Sequence, residues 1–115
     1  MSDDLLSKKC LPCEGGVLPF DISEIHKYQK KVDGWDLIKN DKEIYFLEKK
    51  FEFKDFLKSQ NFVIEVGKIS ESEGHHPDIS FGWGYAKISI TTHAIKGLSQ
   101  NDFILAAKID KIISA

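Results

Sequence analysis

From Tyr85 to His93 the chain alternates: Ala86, Ile88 and Ile90 fall between Lys87, Ser89, Thr91 and His93. A period of two places the apolar set on one face of a strand and the polar set on the other, so this strand belongs to a sheet with one covered and one open face. Such a sheet asks for helices on a single side. Trp35 to Ile38 and Ile44 to Phe51 are two further extended runs, joined across Asn40-Asp41-Lys42 as a hairpin. Ile79 to Trp83 pairs naturally with the alternating run at 85–92, with Gly82 and Gly84 marking a bend or bulge.

Between these pairs the period changes. Asp21 with Glu24 has capping-box form, and Ile22, Ile25, Tyr28 and Val32 recur at helical spacing, which predicts a helix over 22–32 ended by Asp33-Gly34. A second helix is predicted over 54–71, with Phe53, Phe56, Leu57, Phe62, Val63, Val66 and Ile69 on its buried side and polar residues leading out to Gly74. Ser99 to Asp102 again has capping-box form and opens a last helix through Ile113, in which Phe103, Ala106, Ala107 and Asp110 are spaced for close packing. The order α-β-β-α-β-β-α predicts an α+β fold: a four-stranded antiparallel sheet with helices packed on one face. A chain of 115 residues with 42% hydrophobic residues buries one core. We expect a single domain over 20–115 behind a flexible N-terminal arm, residues 1–19.

Charge narrows the partners. The net charge is -2, from 18 acidic and 16 basic residues mixed along the chain, and every basic residue is lysine. Without arginine the chain lacks the forked donor that reads guanine edges or clamps phosphate, so no direct nucleic-acid contact is expected. No apolar run approaches a membrane span, and the acidic start resembles no targeting peptide; a cytoplasmic protein is expected. Cys10-Leu11-Pro12-Cys13 has the spacing of half a zinc ribbon or of a redox pair, but no second pair exists and a loop, not a helix, follows. Two reduced thiols in the arm are the favoured reading. His26, on the first helix, is expected at the surface.

The chemistry concentrates in Glu71-Ser72-Glu73-Gly74-His75-His76-Pro77 and in Trp83, His93 and Asp102 downstream. Three of the four histidines fall within nineteen residues. Histidine is the side chain that exchanges protons near neutral pH, so the cluster suggests acid/base work. Glu71 and His75 are four apart and would share a helical face, the carboxylate fixing the imidazole. Pro77 keeps His76 out of helical geometry. The strand pairing would carry His93 across to the histidine pair, with Trp83 and the hydroxyls of Thr91 and Thr92 nearby.

In these residues the chain resembles the pterin-4a-carbinolamine dehydratases. That family shows an acidic or polar residue, three positions, His-His-Pro, an aromatic five or six positions later, a histidine nine beyond that, and then an aspartate. Glu71, His75-His76-Pro77, Trp83, His93 and Asp102 match each element, and the likeness runs from about residue 20 to 113. One departure is Gly74, where family members often carry aspartate. The resemblance implies dehydration of 4a-hydroxytetrahydropterin, the product of aromatic amino-acid hydroxylases, to quinonoid dihydropterin, with no cofactor and no metal. It implies His75 and His93 as acid and base, with His76 holding the substrate and assisting. Glu71 would orient His75 or touch the pterin, and Thr91 and Thr92 would bond the ring's polar edge. Trp83 is a candidate pterin wall for which packing is the favoured role, and Asp102 is either a substrate contact or only a helix cap. A homodimer or homotetramer is implied too, with Ala106 and Ala107 of the final helix as a subunit contact. The alternatives are a non-catalytic dimerisation cofactor on the same fold and, ranked low, a metal held by His75, His76, His93 and Glu71 or a cysteine.

Overall fold

The computed structural model describes residues 3–10 and 18–114. Cys13 and the loop at 14–17 lie outside them. The elements in chain order are α1 (Asp3–Leu6), α2 (Ile22–Gln29), β1 (Asp36–Lys39), β2 (Tyr45–Glu52), α3 (Phe56–Glu73), β3 (Asp78–Gly82), β4 (Tyr85–Ile90) and α4 (Gln100–Ser114), with a 3-10 turn at His93–Ile95. The sheet is antiparallel throughout, in the order β1-β2-β4-β3. This is the predicted architecture with one addition, the short α1.

Register follows from the apolar alternation. Leu47 stands opposite Ile90 and Phe51 opposite Ala86, and all four are buried on the helical side. Glu48 stands opposite Ser89 and Lys50 opposite Lys87 on the other face. Phe62 of α3 stacks onto that covered side, its ring 4.6 Å from Phe51 and 5.0 Å from Phe53. Trp35 packs edge-on to Phe51 and donates its indole N–H to Asp110 on α4 at 3.1 Å, so a buried polar handle finds its partner. Residues Asn101 to Ala107 are buried without a gap, which makes α4 the central rod of the helical layer.

Capping set the helix starts where the sequence placed them, within a residue or two. Asp21 accepts from the Glu24 N–H and Asp55 from the Lys58 N–H, each at 2.9 Å. α2 stops at Gln29, three residues short of the predicted end. In α3 the buried row is Ser59, Phe62, Val66 and Ser70, and both serines return their hydroxyls to carbonyls four residues back. Phe56 and Leu57 fall off that row and are 45% and 59% exposed, against the burial expected for them.

The N-terminal residues also differ from expectation. Residues 3–10 are not a free arm: Leu5 is fully buried in the core and Cys10 is 7% exposed. Neither lies on a periodic stretch, so no local pattern announces the burial. Ala106 and Ala107 are likewise spent inside the protomer, 0% and 2% exposed, and so are not surface available to a second subunit. Truncating the buried Phe62 to alanine is expected to cost about 3–5 kcal/mol in urea unfolding, whereas Leu57→Ala should stay within about 0.5 kcal/mol. Equal losses at the two positions would contradict the observed facing of α3.

Candidate active site

Four chain ends meet at one end of the sheet. β3 begins at Asp78, opposite Ser89 near the end of β4, so the segment entering β3 and the segment leaving β4 are neighbours. The first brings His75, His76 and Pro77 from the exit of α3; the second brings Thr91, Thr92 and His93 and leads into α4. The expected convergence is therefore present. His75, His76 and His93 line one cleft of about 400 Å³, together with Cys10, Glu73, Gly74, Thr91, Thr92, Ala94 and Asn101. A larger hollow of about 880 Å³ lies between Lys30–Asp33, Lys49–Glu52 and α4. Its central Lys49 is already paired with Asp110 and it holds no histidine, so chemistry points to the smaller cleft.

The exit of α3 sets the two rings apart. Gly74 has φ +65, a left-handed setting that glycine takes without strain, and its N–H returns to Glu71 while the His75 N–H returns to Ser70 at 3.2 Å. This double return turns the chain sharply. A Cβ added here would meet no atom within 4 Å, so the constraint is the left-handed φ and not space. The departure at Gly74 is thus a backbone choice.

Because of that turn the partners differ from those expected. His75 Nε2 bonds not Glu71 but Asp102 Oδ1, at 2.7 Å, and Glu71 instead meets His76 Nε2. The two pairs differ in setting. Asp102 is fully buried and the His75 side chain 12% exposed, whereas Glu71 and His76 are 80% and 60% exposed. Asp102 Oδ2 also accepts from the Thr92 hydroxyl at 2.7 Å and from the Ser99 N–H at 2.8 Å. Asp102 is therefore both cap and imidazole partner. As a carboxylate it can only accept, so His75 donates from Nε2 and, when neutral, keeps Nδ1 as an acceptor.

The remaining residues sort themselves by geometry. The His93 ring, exposed on its 3-10 turn and not on the strand, makes no hydrogen bond among the described residues. Thr91 donates to the Tyr45 carbonyl at 2.8 Å and Thr92 to Asp102, so their hydroxyl hydrogens are committed within the protein and not held ready for a ring. Trp83 is not packed within this chain: it is 71% exposed in the β3–β4 turn, at the far end of a five-residue strand and so about 16 Å from the cleft. Cys10, Glu73 and Asn101 are lining residues the sequence did not reveal. Burial pushes the Glu73 carboxyl up, but Lys108, the Cys10 N–H and Lys9 outweigh it and hold it below the ordinary carboxylate value. Among the described residues no three His, Cys, Asp or Glu side chains are grouped to hold a metal.

The family model described as Pterin 4 alpha carbinolamine dehydratase matches residues 19–112. A protein of Azoarcus sp. strain BH72 whose name places it among the pterin-4-alpha-carbinolamine dehydratases is 46% identical over 97% of this chain and 93% of its own length. One of Rubrobacter xylanophilus, named likewise, is 39% identical over 95% of this chain and 98% of its own. Among solved structures, a transcriptional coactivator/pterin dehydratase from Brucella melitensis superposes with TM-score 0.73 at 26% identity, over 82% of this chain and 97% of that one. A pterin dehydratase-like protein described as a RuBisCO assembly factor, 23% identical with TM-score 0.60, shares the fold.

The Asp102 network makes a sharp prediction. Asp102→Asn puts an amide N–H₂ in place of one oxygen, against one donor (His75) or two (Thr92 and Ser99), and should lower stability by about 1–3 kcal/mol by urea unfolding. An unchanged midpoint would mean that Asp102 does not hold Thr92, Ser99 and His75 together.

Proposed function

The chain belongs to the pterin 4 alpha carbinolamine dehydratase family, and on that premise we propose that it dehydrates 4a-hydroxytetrahydropterin to quinonoid dihydropterin in the histidine cleft. The reaction breaks the C4a–O bond, releases water and removes the proton on N5, so that a C4a=N5 double bond forms. It needs an acid beside the hydroxyl and a base beside N5, held at once. The observation that best supports this is the pairing of a fixed and a free imidazole: His75 is anchored to buried Asp102, and His93 projects into the same cleft with both nitrogens unengaged among the described residues.

We assign proton transfer to His75 and His93. Nδ1 of His75 is the position that can take or return a proton without disturbing the bond to Asp102. His76, at the mouth and paired with Glu71, holds the substrate and assists. Asp102 acts through His75, and Thr92 through Asp102. The role is recycling of the reduced pterin used by aromatic hydroxylases, and the location is cytoplasmic; among the described residues no helix is long and apolar enough to cross a membrane.

A homo-oligomer is the second part of the proposal. Phe56 and Phe81 pair at 5.6 Å on the surface beside the edge strand β3, with Leu57 and Trp83 also exposed. Such a patch next to an unpaired strand edge is costly in water and suits a second copy of the chain. Light scattering should give a dimer or tetramer for the native chain and a smaller species for Phe81→Lys; a native monomer would end that part.

Catalysis is tested separately by following carbinolamine decay in a stopped-flow instrument. His75→Ala and His93→Ala should each lose about 10²–10⁴-fold of the enzymatic rate with circular dichroism unchanged. A double variant as fast as the native protein would refute the assignment and favour the non-catalytic cofactor.

A further inference from the structure

Residues 3–10 lie outside the stretch that the family model matches, and the dehydration chemistry above asks nothing of them. They are nevertheless tied to the piece of chain that delivers two of the three histidines. α1 seats Leu5, fully buried, in the core beside α4. The chain then crosses the end of α3, where Lys9 Nζ donates to the Ser72 carbonyl at 3.2 Å and the Cys10 N–H donates to Glu73 Oε1 at 2.8 Å. The Cys10 thiol donates to the Asn101 carbonyl at 3.5 Å, and Lys108 holds the other oxygen of Glu73. Ser72 and Glu73 are the last two residues of α3, directly before Gly74, His75 and His76. A helix leaves its final carbonyls without internal donors, and a lysine placed there satisfies one and suits the negative end of the helix.

We propose that residues 3–10 are a positioning strap of the histidine cleft: through Ser72 and Glu73 they fix the α3 exit that sends His75 to Asp102, and with Cys10 they form the cleft wall against a flat heteroaromatic ring. The wall half rests on the pterin reading; the strap half does not. Lys9 and Glu73 are positioning residues, acting through the α3 exit, whereas Cys10 ties its backbone N–H to Glu73 and turns its side chain to the cleft as a substrate contact. Burial, with the Glu73 charge, pushes the Cys10 thiol up to about 12, so it stays neutral and offers a soft, polarizable surface instead of a nucleophile.

The test uses the full chain in a Cys13→Ser background, so that Cys10 is the single thiol. Leu5→Asp puts a charge where the native side chain is fully buried and should release the strap. The released protein is expected to react at pH 8 with a disulfide reagent that leaves the parent chain untouched. Its His75 and His76 ring signals should move in NMR spectra while those of His26, on the exposed side of α2, stay in place. A folded Leu5→Asp protein with an inert thiol and unmoved His75 and His76 signals would overturn the strap. Should that variant not fold, Glu73→Gln, which keeps the side chain's shape and loses its charge, is expected to move the same two signals, and their constancy would be equally fatal.

The wall is read from kinetics. Cys10→Ala keeps the backbone bond to Glu73 and should raise KM about fivefold, equivalent to about 1 kcal/mol, with kcat preserved. An unchanged KM would remove Cys10 from the wall. A native chain without dehydratase activity would remove the pterin reading and leave the thiol and NMR results to decide the strap.

Discussion

The arrangement at the end of the sheet depends on one buried carboxylate. Asp102 is fully buried, and an isolated charge there would be prohibitively costly. Its cost is offset because both oxygens are engaged, by the Thr92 hydroxyl and the Ser99 N–H on one side and by His75 on the other. Those three partners come from the end of β4, the start of α4 and the exit of α3. One side chain therefore joins three chain ends that are separated by up to 27 positions in sequence. Removing His75 leaves Oδ1 without its donor in the interior, and removing Thr92 or Ser99 leaves Oδ2 with one donor in place of two, so each partner supports the others.

The fold was legible because its signals are local. Alternation at Ala86, Ile88 and Ile90 fixes which face of β4 is covered, and Asp21 marks a helix start by a chemistry that needs only three residues. Errors arose where burial is decided by distant contacts. Phe56 and Leu57 are as apolar as Phe62, but the row of α3 that meets the sheet passes through Phe62, and a pattern of apolar residues wide enough to cover two faces does not say which one is chosen. Leu5 and Cys10 reach their places only because α4 and the end of α3 are there to receive them.

The histidines and threonines that line the cleft were legible in the sequence; Cys10, Glu73 and Asn101, and the pairing of the rings, were not. Spacing in the sequence suffices to name His75, His76, His93 and Asp102, and strand pairing brings the first three to one cleft. A helical i, i+4 rule assigned Glu71 to His75. It fails at Gly74, whose left-handed backbone ends the helix one residue before His75 and hands Glu71 to the next ring. Trp83 matches the family spacing yet sits at the opposite end of its hairpin from the cleft.

The same two residue types, histidine and carboxylate, thus occur twice in this small region with different consequences. The pair formed by His76 and Glu71 is open to water, where such contacts contribute about 0–1 kcal/mol and both side chains keep their freedom. The pair formed by His75 and Asp102 is enclosed, its carboxylate immobilised by two further donors, so one ring nitrogen is held and the ring's orientation is fixed. Proton transfer rewards a group whose orientation is settled before the substrate arrives. Substrate capture tolerates, and at the mouth of a cleft benefits from, a group that can still turn. Burial alone therefore sets the adjacent histidines apart: the one that Gly74 directs inward is held for the proton transfer proposed above, and the one left outside with Glu71 is free for the proposed contact with the ligand.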